Sequence, residues 1–542
     1  MFGGFIVASI LGLVSHHAVF IRGEWHLQAP GILSTYATAL FLLFVSQLYI
    51  SPRDLHLVLI RTTLFAISYL SSLLISIGTY RLFFHPLVSF PGPRLAALTK
   101  LWHVWKCRDS RNHHVLETLH QQYGTFVRTG PNEITVFHAS AHEVLDGPKS
   151  RNKRGDWHDL LFPDVSPIFT RDKVLHYERR KMWDTAVNPG SMSHYYSKMI
   201  KHIEKFDDYI HQSESQPILI NEMVRSLLLN IIGDLGFGQD FSNSEKMEQT
   251  ALASWIRSSL SLLGPFGSCT WICRLVLAYC PRVWKIKDWY RMREFADACM
   301  ESRKRTLEKD EECTDLVSFF LRTFQQRQGE PGWHNISGDT VTILVAGSDT
   351  TSSSLIFLLY FLVRYPQHAV KIQEELADID LTDVNVLSSL EHLNATVNES
   401  MRLLPVIPTF GERLTPPEGL MIEGTFIPAN TKIMTPRYSI SRLESAYEDP
   451  NSFIPERWYS KPHLIKDKRA FAPFGIGRTS CVGKKLSLVL IRLFTAAILS
   501  KYDIRVAPNT ENGEAVKRDM KDQLTANAGE LVLVFNQRLN RE

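Results

Sequence analysis

Phe474-Gly475-Ile476-Gly477-Arg478-Thr479-Ser480-Cys481-Val482-Gly483 is the stretch on which the reading of this 542-residue chain turns. It runs straight into a long apolar helix pattern, so Cys481 stands at a helix start behind a glycine-rich approach. Backbone dipoles there favour an anion, and neighbouring N–H groups can bond to sulfur, which suits a thiolate. Arg478, Lys484 and Lys485 surround it with positive charge. Glycine at 475, 477 and 483 lets backbone approach a flat, bulky group without Cβ clashes.

Other readings of the same letters fare worse. As a nucleotide loop the stretch fails, because five residues separate Gly477 from Gly483 and Lys485 stands where Ser or Thr is required. As a dinucleotide fingerprint it fails at Ser480, which occupies the place of the third glycine. Two readings stay open: a buried structural cysteine in a Gly-rich turn, or an axial thiolate ligand to haem iron. Three motifs elsewhere in the chain favour the second.

Composition narrows the class. Sixty basic and 56 acidic residues leave a net charge of +4 with no basic tract, so no nucleic-acid partner is expected. Seven cysteines in a chain this long make no disulfide framework. Cys269, Cys273 and Cys280 lie close together, but no histidine falls between His211 and His334 to complete a zinc set. The cysteines suit a reducing compartment.

The first eighty-odd residues differ from the rest. Apolar runs cover roughly 2–21, 32–50 and 62–80, interrupted by Arg22, Glu24, Arg53, Asp54 and Arg61. The last two approach the ~20 residues that span a bilayer. A cleaved signal peptide would explain only the first run, which lacks a basic start and a clear cleavage site. We read residues 1–83 as a membrane anchor of two or three transmembrane helices, the third best defined, and 84–542 as one large domain. Flanking charges are too few to orient the anchor.

Beyond Arg81-Leu82-Phe83-Phe84-His85-Pro86 and Phe90-Pro91-Gly92-Pro93-Arg94, whose prolines stop a helix, amphipathic helical patterns dominate. His176-Tyr177-Glu178-Arg179-Arg180-Lys181 is a solvated basic face by default, or it aims Arg180 and His176 at an anionic cofactor group. Asp339–Tyr360 predicts a long apolar helix interrupted by Ala346-Gly347-Ser348-Asp349-Thr350-Thr351. That is either a Ser/Thr packing face or a small groove beside Ala346-Gly347, with Asp349 and Thr350 delivering protons. Glu399 and Arg402 share one face of an apolar helix ended by Pro405; buried there, the pair needs a further partner, for which Arg457 is the candidate. Asn335, Asn394 and Asn398 match glycan sequons, the last on the Glu399 helix itself, which argues for a cytosolic location. Around Gly424–Ile433, short strands flank a turn; Arg413 lies in an extended stretch, and Gly529–Phe535 is a further strand. The expected fold class is mainly α with a smaller β region.

Together these stretches resemble the cytochrome P450 family of haem-thiolate monooxygenases, in its membrane-bound eukaryotic form and with a fungal look at His85-Pro86 and Pro91-Gly92-Pro93. The resemblance covers roughly residues 81–535. It implies an α-rich triangular prism behind the transmembrane helices and haem b with Cys481 as its iron ligand. Phe474, Gly477 and Gly483 match the cysteine loop, and Ala346, Gly347, Asp349 and Thr350 the oxygen-activation helix. Glu399, Arg402 and Arg457 match a structural triad. Arg180 and Arg413 become propionate candidates. Two departures stand out: Thr479 replaces a usual basic residue two before the cysteine, and His176 a usual tryptophan.

The resemblance also implies insertion of one oxygen atom from O2 into a lipophilic substrate, by C–H hydroxylation or epoxidation. The setting would be fungal secondary metabolism or xenobiotic oxidation. With no flavin or nicotinamide motif in the chain, electrons would come from an NADPH–cytochrome P450 reductase, with cytochrome b5 as a second donor, across a basic face at Arg478, Lys484 and Lys485. The location implied is the endoplasmic reticulum membrane, with the catalytic domain facing the cytosol. The loop 155–170, Leu344–Gly347, Pro405–Phe410 and Leu524–Ala528 would line an apolar pocket, chiefly through Leu344, Ile407, Phe410 and Leu524. Alternatives are a haem-thiolate isomerase or dehydratase acting on a peroxide, which has no need of the Asp349-Thr350 relay, and a non-catalytic membrane haem-binding protein.

Overall fold

Three apolar helices open the chain: α1 (Phe2–Val14), α2 (Ala29–Ile50) and α3 (Leu55–Thr79). In this computed structural model the described residues are 2–50, 52, 54–241, 246–280, 282–309, 314–326 and 333–538; Arg53 and Cys313 lie outside them. A π-helical turn, Tyr80–Phe84, extends α3 until Pro86 ends it. The third helix begins at Leu55 rather than near 62, because Leu55, Leu57, Val58, Leu59 and Ile60 continue its apolar surface past His56 and Arg61. α1 packs against α3 at Gly12, where a Cβ would fall 2.5 Å from the Tyr69 carbonyl oxygen. Only a residue without one lets the two backbones come this close.

Among the described residues, four helical segments are long and apolar enough to cross a membrane. Gly3–Phe20, Ala29–Ile50 and Leu55–Phe84 are 17, 0 and 11% buried, whereas Ile336–Arg364 is 72% buried. The fourth is therefore the spine of the globular body, and only the first three expose apolar surface that a bilayer would cover.

The helices of the body that build the site are α4 (Lys173–Ala186), α5 (Ile220–Phe237), α6 (Trp333–Arg364), α7 (Pro366–Glu375), α8 (Glu391–Leu403) and α9 (Lys484–Lys501). Asp172 starts α4 by accepting the Val174 and Leu175 N–H groups at 2.8 and 2.9 Å, and Pro405 follows the end of α8. α5, α6 and α9 meet in the main apolar core, through Leu228, Phe237, Leu355, Phe357, Phe494 and Leu499. α6 is one continuous helix that carries the polar segment in its middle, as expected. Ser348, Thr350 and Ser352 donate their hydroxyls to carbonyls one turn back, and the segment stays helical.

The strands are β1 (Phe126–Gly130), β2 (Glu133–Val136), β3 (Lys153–Arg154), β4 (Ile218–Leu219), β5 (Arg413–Leu414), β6 (Leu420–Ile422), β7 (Thr425–Ile427), β8 (Lys432–Met434), β9 (Tyr502–Val506), β10 (Lys521–Gln523), β11 (Thr525–Asn527) and β12 (Val532–Gln537). One sheet has the order β1-β2-β8-β5-β3, with β2 and β8 parallel and the other pairs antiparallel. Its last pair sets Arg154 directly opposite Arg413. A second sheet is β4-β12-β9; β10-β11 and β6-β7 are hairpins. The strands within Gly424–Ile433 thus do not pair across their turn: β7 pairs back with β6, and β8 joins the large sheet.

Glu399 on α8 is fully buried and accepts five N–H groups. They come from Arg402 Nε and Nη2 at 2.9 and 2.8 Å, Arg457 Nε at 2.9 Å, Trp458 Nε1 at 2.9 Å and the Ile454 amide at 3.0 Å. The guanidiniums spend their remaining N–H groups on carbonyls of 441–464: Arg402 on Ser441 and Pro450, Arg457 on Glu448 and Leu464. Glu399→Ala leaves two buried cations without their carboxylate, a loss of about 3–5 kcal/mol. Its expected outcome is little or no soluble haem-loaded protein, with Glu399→Gln intermediate, as measured by haem content and thermal unfolding.

Candidate active site

Cys481 lies on the floor of a cavity of about 600 Å3 bounded by α6, the loop 154–169, the hairpin β10-β11 and the approach to α9. Its amide donates to the Phe474 carbonyl at 2.8 Å, closing the loop into a ring that presents the sulfur. Cys481 is exposed, and what it is exposed to is this cavity. Burial pushes its thiol up, while the Gly483 and Lys484 N–H groups and the Arg180 charge pull it down without prevailing. The helix start alone therefore does not make the thiolate that the sequence suggests.

The glycines divide their tasks differently from expectation. Gly475 and Gly477 hold left-handed conformations, φ +65° and +64°. A Cβ on Gly477 would fall 2.0 Å from the Asp146 carbonyl oxygen, so this glycine serves loop packing rather than approach to a cofactor. Gly483 needs no special φ (−78°), and a Cβ there would meet the Cys481 sulfur at 3.8 Å, an ordinary contact. Phe474 lines the cavity, with Lys484 Nζ 6.0 Å from its ring centroid.

On α6, Ala346, Gly347 and Thr350 line the cavity, but Asp349 does not. Gly347 also admits Ile232 of α5, which a Cβ would meet at 2.6 Å. Thr350 Oγ1 donates to the Ala346 carbonyl at 2.8 Å. Burial raises the Asp349 carboxyl pKa, against a hydrogen bond from Thr525 and the charges of Arg225 and Arg257.

One edge of the cavity is cationic. Arg154, Arg180, Arg413 and Arg437 line it, together with His158 and His176, and no carboxylate lines it among the described residues. Arg413 Nε donates to Asp146 at 2.6 Å and its Nη2 to Thr479 Oγ1 at 3.1 Å. Arg180 pairs with Asp184 at 2.9 Å and donates to the Ser480 carbonyl. Arg154 bonds only backbone carbonyls, those of Pro167, Ile168 and Thr170. Arg437 likewise reaches Ala472 and Phe410 carbonyls at 2.9 and 2.6 Å. Burial is the first cause that lowers Arg154 to about 9 and Arg437 to about 10, and Arg413 adds repulsion to both. Burial, then the neighbouring arginines, lowers His176 to about 4. Four guanidiniums against the carboxylates of Asp146 and Asp184 leave a positive excess that matches a dianionic cofactor edge.

Elsewhere the lining is apolar, including Trp157, Phe169, Ile232, Val345, Phe410 and Leu524. Leu524, at the tip of β10-β11, holds φ +79°, a backbone conformation unusual for a branched side chain. Leu344 does not line the cavity; it packs fully buried in the core. The basic run 176–181 is not a solvated face, because Arg179 is buried against Asp339 of α6 while Arg180 faces the cavity. Arg154 and Arg437 escaped the sequence reading. A lone arginine in Lys153-Arg154 or Pro436-Arg437-Tyr438 carries no local signal; only the sheet register and the turn at 437 bring them to the rim. Arg478, Lys484 and Lys485 are exposed beside the cysteine loop and pair with no carboxylate among the described residues. Cys269 and Cys273 are driven by burial up to about 11 and 12, as inert thiols.

The cytochrome P450 family model matches residues 91–527. The chain is similar to a cytochrome P450 monooxygenase, FCK2, of Fusarium pseudograminearum, 33% identical over 98% of this chain and 97% of that one. It is also similar to the tryprostatin B 6-hydroxylase of Aspergillus fumigatus, 31% identical over 94% and 92%. Among solved structures it shares the fold of a retinoic acid-bound cyanobacterial CYP120A1, with a TM-score of 0.69 at 18% identity, over 83% of this chain and 99% of that one. Because the family match spans most of the sequence and the FCK2 likeness runs through both chains nearly end to end, the chain belongs to the cytochrome P450 family of monooxygenases.

Proposed function

We propose that residues 84–542 form a haem-thiolate catalytic domain, anchored by 1–83 in the endoplasmic reticulum membrane and facing the cytosol. In this reading it oxidises a lipophilic substrate of fungal secondary metabolism by C–H hydroxylation or epoxidation. The observation that carries the reading is the cavity itself: Cys481 in its glycine-rich loop, four arginines along one edge and an apolar lining, the inert Cys273 included, over the rest. Haem held by cysteine thiolate, the arrangement that defines this family, activates dioxygen by donating electron density that favours O–O cleavage. A relative named as a 6-hydroxylase supports hydroxylation as the outcome.

The donors present fit haem. Cys481 supplies the sulfur, and the N–H groups of Gly483 and Lys484 stabilise charge on it. Arg180, Arg413, Arg154 and Arg437 would hold the two propionates, with Arg437 standing in for the basic residue that Thr479 replaces. Thr479 instead accepts from Arg413 and donates to Asp146 at 3.1 Å, orienting that guanidinium. Phe474 and Gly477 shape the loop that would present Cys481 to the group, and Ala346 and Gly347 line the same cavity from α6. Burial raises the Asp349 carboxyl outside the cavity, and Thr350 Oγ1 inside it is the hydroxyl through which a proton would enter. The apolar lining binds substrate and excludes bulk water. NADPH–cytochrome P450 reductase supplies electrons at the exposed basic face of Arg478, Lys484 and Lys485, with cytochrome b5 as a second donor.

The reduced, carbon-monoxide-bound protein is expected to show a strongly red-shifted Soret band that Cys481→Ser abolishes; haem binding without that shift refutes the thiolate. Thr350→Ala is expected to keep consuming NADPH while product per NADPH falls several-fold, measured as coupling in the reductase-reconstituted system. Arg437→Gln should speed haem transfer to apomyoglobin about ten-fold, the loss of a charge-assisted bond of roughly 1.5 kcal/mol.

A further inference from the structure

Away from the cavity, three side chains from three elements converge. His368 comes from α7, His392 from the first turn of α8, and Glu456 from the 3-10 turn Pro455–Trp458. His368 Nδ1 and His392 Nε2 are 3.1 Å apart, Glu456 Oε1 is 3.9 Å from His368 Nδ1, and the three atoms lie within 4.8 Å of one another. Two ligands about 2.0–2.1 Å from a tetrahedral zinc ion stand roughly 3.3 Å apart. The histidine pair already has that spacing, and a side-chain rotation of Glu456 brings in the carboxylate.

The chemistry of each group agrees. Both imidazoles are buried, 5 and 4% exposed, so their ring nitrogens must find partners within the protein. His392 Nδ1 lies 3.1 Å from the Tyr459 hydroxyl, which serves as the outer partner that fixes a ligating imidazole with its other nitrogen bare. His368 Nδ1 and His392 Nε2 share one hydrogen bond, whose proton would move to the far nitrogen of its ring when an ion binds between them. Lys371 Nζ holds Glu456 Oε1 at 2.6 Å, and because its side chain is 45% exposed it can swing into solvent when displaced. A hydrogen-bonded imidazole pair by itself needs neither the converging carboxylate nor the tyrosine behind it. Two imidazoles and one carboxylate are a donor set for zinc rather than for magnesium or calcium.

We propose that His368, His392 and Glu456 bind a zinc-class divalent ion, with water in the fourth position. The ion would tie α7 and α8 to the turn that carries Arg457. Full-length, haem-loaded protein, purified without a histidine tag, is dialysed against micromolar Zn2+ and its zinc counted against haem iron. One zinc per iron is expected, with His392→Phe and Glu456→Gln each weakening binding about ten-fold or more. Lys371→Ala, which removes the competing ammonium from an exposed position, is expected to tighten binding several-fold. A zinc-dependent rise in melting temperature should appear in the wild type and vanish in His392→Phe. Equal zinc in wild type and His392→Phe, or no zinc gain in Lys371→Ala together with full binding by Glu456→Gln, overturns the site. Haem content reports folding of each variant independently of zinc.

Discussion

A carboxylate with no access to water, that of Glu399, carries the strongest constraint in the body. Five N–H groups from α8, the Ile454 backbone and the turn 455–458 end on its two oxygens, and the two guanidiniums extend the network to carbonyls of 441–464. Desolvating three charges is costly, and the cost is offset only while every partner remains in place. The network therefore has one low-energy arrangement, and that arrangement fixes the segment leading to Phe474. The cysteine loop inherits its position from ion pairs that never touch the cavity.

The cavity obeys the opposite logic. Its cationic rim is only partly neutralised: Arg180 and Arg413 have carboxylate partners, but among the described residues Arg154 and Arg437 bond backbone carbonyls alone, and burial lowers both. Groups held in unfavourable protonation environments mark places where a ligand completes the electrostatics. One site is thus closed on itself, and the other is charged along one edge and apolar elsewhere.

The anchor and the body also meet at a defined point. Arg171 donates to Glu24, between α1 and α2, and to Asp159 at 3.2 Å, while His26 lies 2.8 Å from Asp159. Asp159 belongs to the same loop as Trp157 and His158, which line the cavity. That loop therefore touches the N-terminal segment on one side and lines the cavity on the other.

Much was legible in the chain because it depends on local chemistry. A glycine-rich approach to Cys481, a Glu-x-x-Arg pair on an apolar helix, Ala346-Gly347 beside Asp349-Thr350 and three long apolar runs each carry their signal within a few residues. What only the tertiary structure decided depends on residues far apart. Pairing of β3 with β5 sets Arg154 opposite Arg413, and packing of α5 on α6 assigns Gly347 to Ile232. Burial, rather than the helix start, governs the Cys481 thiol, and Leu344 turns into the core while Asp349 turns away from the cavity. Hydropathy could not tell α6 from a membrane span either; neighbours cover one and leave the others bare. Sequence determines which groups are available, and solvent exclusion, which no local pattern encodes, determines what they become.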